Sequence, residues 1–245
     1  MIIGILGSGS LAGFLIEGAG GDFLISPRGQ ARALADRYGV AVATSNQAVV
    51  DTCDRIVVCL PAKTGLAILQ ELRFRPGQSV LSAMAGVDIA ALTRAVAPAR
   101  VAVTMLPGHA NALRCGPSIL HPALPEWTAF LARLGPVHPL DDPAQFELAA
   151  CFGAFSGASI HWLTHLARWF ETRGLPADLA RSLVAETLRG NAEVLLHSPD
   201  PLDRIAAGVT TPGGITARVL DTLTEHGALT AWDEALDRLR QGPRP

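Results

Sequence analysis

The sequence predicts an N-terminal α/β domain built on a parallel sheet, followed by an all-α C-terminal domain. Three observations carry this expectation. Up to about residue 142, short and continuously apolar runs alternate with helical patterns. Beyond residue 143, strand-like runs disappear. Over 177–196, Leu179, Leu183, Val184, Leu188, Val194 and Leu195 lie near one face of a helix of period 3.6. Continuous apolar strands separated by helices belong to a parallel sheet covered on both faces. The boundary falls in the run LDDPAQ, dividing residues 1–142 from residues 143–245.

Taken in order, IIGIL (2–6) reads as a buried strand, 10–18 as a helix, DFLIS (22–26) as a second strand and 28–38 as a second helix. The runs VAVAT (40–44), RIVVCL (55–60), SVLSA (79–83) and RVAVT (100–104) read as further strands, with helices near 45–52, 64–72 and 88–96. Residues 117–138 add a strand, a helix around 125–133 and a last short strand. The C-terminal part reads as helices over 144–172, 177–196, 213–225 and 228–240, and the tail GPRP (242–245) as frayed. Such long amphipathic helices would leave a large apolar face uncovered in an isolated domain, so a homodimer through residues 143–240 is expected.

Composition narrows the function. The 245 residues are 49% hydrophobic with a net charge of -2, so the chain is globular and carries no basic stripe for nucleic acid or a membrane surface. No apolar run approaches the ~18 residues of a membrane span, and the N-terminus lacks the basic start of a signal peptide. Cys53, Cys59, Cys115 and Cys151 form no CxxC pair, which reads as reduced thiols in a cytoplasmic protein. Lys63 is the only lysine, so Schiff-base chemistry has one possible site.

The run GSGSLA (7–12) follows the first strand and opens a helix, the context that a dinucleotide-binding loop requires. Gly7 permits the tight turn, Gly9 the approach of a pyrophosphate, and Ala12 the close packing of helix on strand; Ser8, Ser10 and Leu11 complete the loop. The helix N-terminus offers N–H groups to phosphate. A Rossmann-like cofactor domain follows. The second strand ends in Ser26-Pro27-Arg28, without the acidic residue that holds the ribose of NAD. A hydroxyl and a guanidinium suit a 2′-phosphate, so NADP(H) is preferred and NAD(H) possible. Leu60, Pro61 and Ala62, with Ala85 and Gly86, lie after later strands, where they would line the cofactor's ribose and nicotinamide.

The run GVTTPGGIT (208–216) reads as a helix start built to hold an anion. Thr211 suits the N-cap, Pro212 the first helical position, and Gly213 and Gly214 would expose N–H groups; the Thr216 hydroxyl falls in the first turn. His109, after the strand at 100–104, is a candidate proton donor near the nicotinamide. His161 and His165 share a helix face but have neither an HExxH pattern nor a third ligand, so no metal is expected.

Through GILGSGSLA, SAMAGV and GVTTPGGITARVLDTLTEHG the whole chain resembles the pyrroline-5-carboxylate reductase family, whose Val-Thr-Ser-Pro-Gly-Gly-Thr-Thr run the last motif closely follows. The resemblance implies a Rossmann domain for NAD(P)H, a helical dimerisation domain and hydride transfer to the C=N carbon of a cyclic imino acid, such as 1-pyrroline-5-carboxylate, giving proline. It assigns Thr210, Thr211, Gly213, Gly214 and Thr216 to the substrate, with Thr216 on the imine nitrogen. Two segments depart from the family. TMLPGHAN (104–111) replaces Met-Pro-Asn-Thr-Pro, and CFGAFSGASI (151–160), with bulky Phe155, replaces Ser-Gly-Ser-Gly-Pro-Ala-Tyr. The departures keep three alternatives open: a related imine or a different biosynthetic ketone intermediate, a nucleotide-binding regulator without turnover, and a deazaflavin-dependent reductase, which the intact TTPGGIT run argues against.

Overall fold

The structure, a computed structural model, describes residues 2–241. Eight strands form one sheet: β1 (Ile3–Leu6), β2 (Phe23–Ile25), β3 (Ala41–Val42), β4 (Arg55–Val58), β5 (Ser79–Ser82), β6 (Arg100–Met105), β7 (Ser118–His121) and β8 (Val137–Pro139). Their order is β3-β2-β1-β4-β5-β6-β7-β8. The helices between them are α1 (Ser10–Ala19), α2 (Ala31–Tyr38), α3 (Asn46–Thr52), α4 (Ala62–Gln70), α5 (Ile89–Ala95), α6 (His109–Ala112) and α7 (Pro125–Leu131). The helices α8 (Pro143–Ala149), α9 (Phe152–Glu171), α10 (Ala177–His197), α11 (Leu202–Gly208), α12 (Ile215–Glu225) and α13 (Ala228–Gln241) follow. The chain divides into two compact units, the first running through Gly153 and the second beginning at Ala154. Helix α8 belongs to the first, where Phe146 is buried in the core.

Sheet pleating accounts for the continuous apolar runs. Along β1, Ile3 and Ile5 enter one core with Val57, Leu81, Ala102 and Leu120. Leu6 enters the opposite core with Ile56, Val58, Val80 and Val103. A strand buried on both faces has no polar side to alternate with. Gly4 faces the second core, where a side chain would meet Val49 at 2.7 Å and Cys53 at 3.1 Å. Trp127 of α7 is fully buried and donates from Nε1 to Ser79 Oγ at 2.8 Å.

Several elements differ from the sequence expectation. The sheet is parallel only through β6; β7 pairs with β6 antiparallel, and β8 runs with β7. Segment 106–117 holds only the single-turn α6, so the chain turns back instead of crossing over. Strand β3 has two residues, both exposed, where five were expected. Helix α2 starts at Ala31, because Gly29 is left-handed (φ 73°) and the Gln30 N–H donates to Ser8 O at 2.7 Å. The helical pattern over 144–172 is interrupted between Ala149 and Phe152, and α6 and α11 had no sequence signal strong enough to mark them.

The second unit is entirely helical. Among its described residues only Ala180 is buried, while Phe155, Trp162, Trp169, Leu183, Val194 and Leu196 are exposed. A groove of about 240 Å³ is lined by Trp162, Leu166 and Phe170 of α9 and Leu183 and Leu188 of α10.

Candidate active site

In the first unit, the candidate site lies at the carboxyl edge of the parallel strands, where open α/β sheets bind ligands. Gly7 leaves β1 with φ 98°, and a Cβ there would lie 2.5 Å from the Cys59 carbonyl oxygen, so only glycine fits both the turn and the neighbouring β4 loop. Gly9 is the N-cap of α1, and a Cβ built on it would meet nothing within 4 Å. The N–H groups of Ser10, Leu11 and Ala12, in the first turn that follows, have no intrahelical acceptor. Ala12 is fully buried, the small residue that close helix–sheet packing calls for. The arrangement suits a pyrophosphate: an open glycine, a helix N-terminus and no carboxylate between them.

Beneath the loop lies a serine pair. Ser26 Oγ accepts from the Gly7 N–H at 2.9 Å, and Ser8 Oγ donates to Ser26 O at 2.6 Å. Both serines are buried. This corrects the expectation for Ser26: its hydroxyl is turned inward to fix the glycine turn and is not presented to a 2′-phosphate. The β-strand position that lets Ser26 reach Gly7 follows from the β1–β2 register, which a single sequence does not show. Arg28 is exposed and has no hydrogen-bond or ion-pair partner among the described residues. Of the two residues, Arg28 alone is therefore free to meet a 2′-phosphate. Arg28→Ala is expected to weaken NADPH by about 10- to 100-fold, the equivalent of losing one charge-assisted contact of about 1.5–3 kcal/mol, and NADH hardly at all. Titrating both nucleotides against the variant checks this, and equal losses would refute the assignment.

Further along the same edge, Pro61 is the N-cap of α4, with Leu60 and Ala62 half-buried beside it. Lys63 is exposed in the first turn of that helix. Ala85 and Gly86 (φ 71°) are exposed after β5. Burial pushes the Cys59 thiol up to about 12, so it stays neutral beside the glycine loop.

At the end of β6, His109 is exposed and its ring lies 4.2 Å from the Phe14 ring of α1, centroid to centroid. The loop that carries it is organised by Asn111, fully buried, a residue that sequence reasoning missed as an organiser. Asn111 Oδ1 accepts from the Gly108 N–H at 3.0 Å, and Nδ2 donates to Gly116 O at 2.8 Å and Leu134 O at 3.3 Å. Gly18 leaves room for the Asn111 carbonyl against α1. An asparagine in a loop between two strands was the available signal, but its partners are up to 23 residues away.

In the second unit, the start of α12 is a separate candidate site. Here the structure corrects the helix start. Gly214, not Thr211, is the N-cap, and α12 begins at Ile215. Residues Thr211–Gly214 form a turn instead: the Gly214 N–H donates to Thr211 O at 3.0 Å, with Pro212 second and left-handed Gly213 (φ 71°) third. Proline then a positive-φ glycine is the pattern of a type II turn. Gly214 has no room for a side chain against Thr211 Oγ1. Its N–H is already bonded, so the free donors facing outward belong to Ile215, Thr216 and Ala217, the first turn of the helix. Thr210 Oγ1 donates to Ala206 O at 2.9 Å, tying the loop to α11. Thr216 is half-buried and its hydroxyl has no partner among the described residues. A carboxylate at this helix start would meet N–H donors and a helix dipole together. His161 and His165 are exposed on α9, and no group of three His, Cys, Asp or Glu that could hold a metal occurs among the described residues.

Comparison with known proteins matches both units. Residues 147–242 match the model for pyrroline-5-carboxylate reductase dimerisation, and residues 2–86 that for coenzyme F420-dependent NADP oxidoreductases. The pyrroline-5-carboxylate reductase of Pseudomonas aeruginosa is 26% identical over 98% of this chain and 94% of its own. Pyrroline-5-carboxylate reductase 1 of Bacillus spizizenii is 22% identical over 96% of this chain and 85% of its own. Among solved structures, the 1-pyrroline-5-carboxylate reductase of Streptococcus pyogenes superposes with a TM-score of 0.86 at 22% identity, covering 98% of this chain and 97% of that one. The pyrroline carboxylate reductase of Plasmodium falciparum, solved with NADP bound, gives 0.86 at 17% identity over the same shares. In both units, over nearly the full length, the chain is thus similar to pyrroline-5-carboxylate reductases and shares their fold.

Proposed function

We propose that this protein is an NADP(H)-dependent reductase that converts 1-pyrroline-5-carboxylate to proline by reducing its C=N bond, with NADH as a weaker alternative. The observation that carries the reading is the Thr211–Gly214 turn feeding α12, with the free hydroxyl of Thr216 in its first turn. In this reading the first-turn N–H groups of α12 hold the substrate carboxylate, Thr210, Thr211, Gly213 and Gly214 shape that cradle, and Thr216 donates to or accepts from the imine nitrogen. The N–H groups of Ser10, Leu11 and Ala12 with Gly7 and Gly9 hold the cofactor's pyrophosphate, Arg28 its 2′-phosphate, and Leu60, Pro61, Ala62, Ala85 and Gly86 its nicotinamide half. The bound nicotinamide supplies the hydride. The chain's contribution is position and charge: an imine that carries a proton is already electrophilic, so orientation supplies most of the acceleration.

The working unit in this reading is a homodimer, its two copies joined through the helical unit that exposes Leu183, Val194 and Leu196. The first unit serves as the cofactor domain and the second as the substrate and dimerisation domain. No described helix is long and apolar enough to cross a membrane, and the four cysteines are free thiols; we place the protein in the cytoplasm. A related cyclic imine is the second reading, favoured by Phe155, which packs edge-to-face on Trp232 at 5.9 Å where the family carries small residues.

The test follows NADPH oxidation with 1-pyrroline-5-carboxylate, its six-membered analogue, and an acyclic keto acid with ammonia. Turnover on the five-membered ring is expected. Thr216→Ala should lower kcat/KM by about 10- to 100-fold, one polar contact to a charged centre, with NADPH affinity unchanged. Preference for another imine would favour the second reading, and tight NADPH binding without turnover on any of them would leave a regulatory nucleotide-binding role.

A further inference from the structure

Within the first unit, the two loops assigned to the cofactor's phosphates are joined beneath the surface; the role drawn from that junction rests on the NADP(H) reading above. One loop, residues 7–9, runs from β1 into α1. The other, residues 26–30, runs from β2 into α2 and carries Arg28. Hydrogen bonds tie the two together. The Gly7 N–H donates to Ser26 Oγ at 2.9 Å, and Ser8 Oγ donates to Ser26 O at 2.6 Å. The two hydroxyl oxygens lie 3.3 Å apart, so the remaining hydroxyl proton, that of Ser26, has Ser8 Oγ as its acceptor. The Gln30 N–H donates to Ser8 O at 2.7 Å. Gly29 permits that last approach, since a Cβ on it would lie 2.9 Å from Ser8 O. Ser8 and Ser26 are each 3% exposed, so neither hydroxyl is open to a ligand. Alanine would fill nearly the same space, but a hydrogen bond also sets direction. The peptide entering Gly7 and the peptide leaving Ser8 are both held from the second loop, and they lead directly into Gly9 and the first N–H groups of α1.

We propose that Ser8 and Ser26 are positioning residues that hold the pyrophosphate loop and the Arg28 loop at one spacing, so that the two phosphate subsites act as a single frame. The preference for NADPH over NADH then depends on the Ser8–Ser26 junction as well as on Arg28, although neither serine meets the 2′-phosphate. With the junction intact, a dinucleotide anchored by its pyrophosphate brings its 2′-phosphate to a guanidinium-bearing loop that is already placed. With the junction cut, the loops move independently, and the second contact must first order its own loop, which offsets part of what it contributes.

The test is a double-mutant cycle on nucleotide affinity, read by titration calorimetry with NADPH and with NADH and so independent of turnover. Ser26→Ala removes the acceptor of the Gly7 N–H, and Ser8→Ala removes the donor to Ser26 O. Each should lower the ratio of NADPH to NADH affinity by at least about threefold, a coupling typical of one hydrogen-bond network. Arg28→Ala should cost NADPH at least about threefold less in either serine variant than in wild type. Ser26→Thr keeps the acceptor and should restore the wild-type ratio. Urea denaturation identifies the folded variants, and should Ser26→Ala fail to fold, Ser8→Ala carries the same comparison. An unchanged ratio in the folded alanine variants, losses that simply multiply with that of Arg28→Ala, or a ratio that falls as far in Ser26→Thr as in Ser26→Ala would overturn the coupling. Wild type that binds neither nucleotide, or binds both equally well, would instead overturn the NADP(H) reading itself.

Discussion

Gly9→Val should leave the fold intact and abolish cofactor binding. At φ -96° and ψ -167° the residue is extended, a conformation open to valine. Apart from Gly9 itself and its two chain neighbours, no residue has an atom within 4 Å of the position that its Cβ would take. The apoprotein should therefore lose only about 1 kcal/mol, for a poorer helix cap. The isopropyl group would instead occupy the space that the pyrophosphate needs in front of Ser10, Leu11 and Ala12. Losing two hydrogen bonds to a charged group, at about 1.5–3 kcal/mol each, raises the NADPH dissociation constant by at least about 100-fold. Fluorescence titration with NADPH and urea denaturation of the apoprotein separate the two effects. Wild-type affinity in the variant would remove the glycine loop from the cofactor site. Gly7 provides the contrast, since its left-handed turn and its contact with Cys59 O mean that a side chain there damages the fold itself.

The second large effect is expected from Leu183→Asp. Leu183 lines the groove between α9 and α10 and is 45% exposed in a unit whose only buried described residue is Ala180. Helices with so little enclosed apolar area do not hold together alone, because each ordered residue costs about 1–2 kcal/mol of backbone entropy. A second copy supplies the missing cover. In a twofold assembly the aspartate appears twice, and each unpaired charge costs several kcal/mol on leaving water. Dimer dissociation should become at least about 1,000-fold easier, and turnover should fall with the dimer. Sedimentation at micromolar concentration reads the outcome. A monomeric wild type would overturn the dimer, and a variant that stays dimeric would place the interface elsewhere.

The first unit was legible because each of its elements is signalled locally. IIGIL, RIVVCL and SVLSA are apolar on both faces, and GSGSLA marks the junction of β1 and α1 within six residues. The reversal of β7 was not legible, since strand direction depends on how 106–117 folds, and that depends on Asn111 reaching Gly116 and Leu134. The inward role of Ser26 was hidden for the same reason: its partner, Gly7, is 19 residues away and adjacent only through strand register. At α12 the sequence expectation and the geometry differ. Pro212 was read as a helix start, and the positive φ of Gly213, which converts the segment into a turn, has no sequence counterpart beyond the glycine itself. The residues of the candidate site were thus visible as chemistry, while their hydrogen-bond partners were set by tertiary structure.

The sheet order has a consequence for how the molecule is made. β1, the first of these eight strands to be synthesised, is flanked by β2 and β4, so both of its edges are covered once Val58 has emerged. Each later strand docks on one already in place, and the last pairing closes at Pro139. Every ladder of the first unit can therefore form during synthesis, before α9 is complete. The helical unit emerges after it, and among its described residues only Ala180 is buried. Its maturation is a bimolecular step whose rate scales with the concentration of nascent chains, so low expression should slow the final assembly and leave the nucleotide fold's formation untouched.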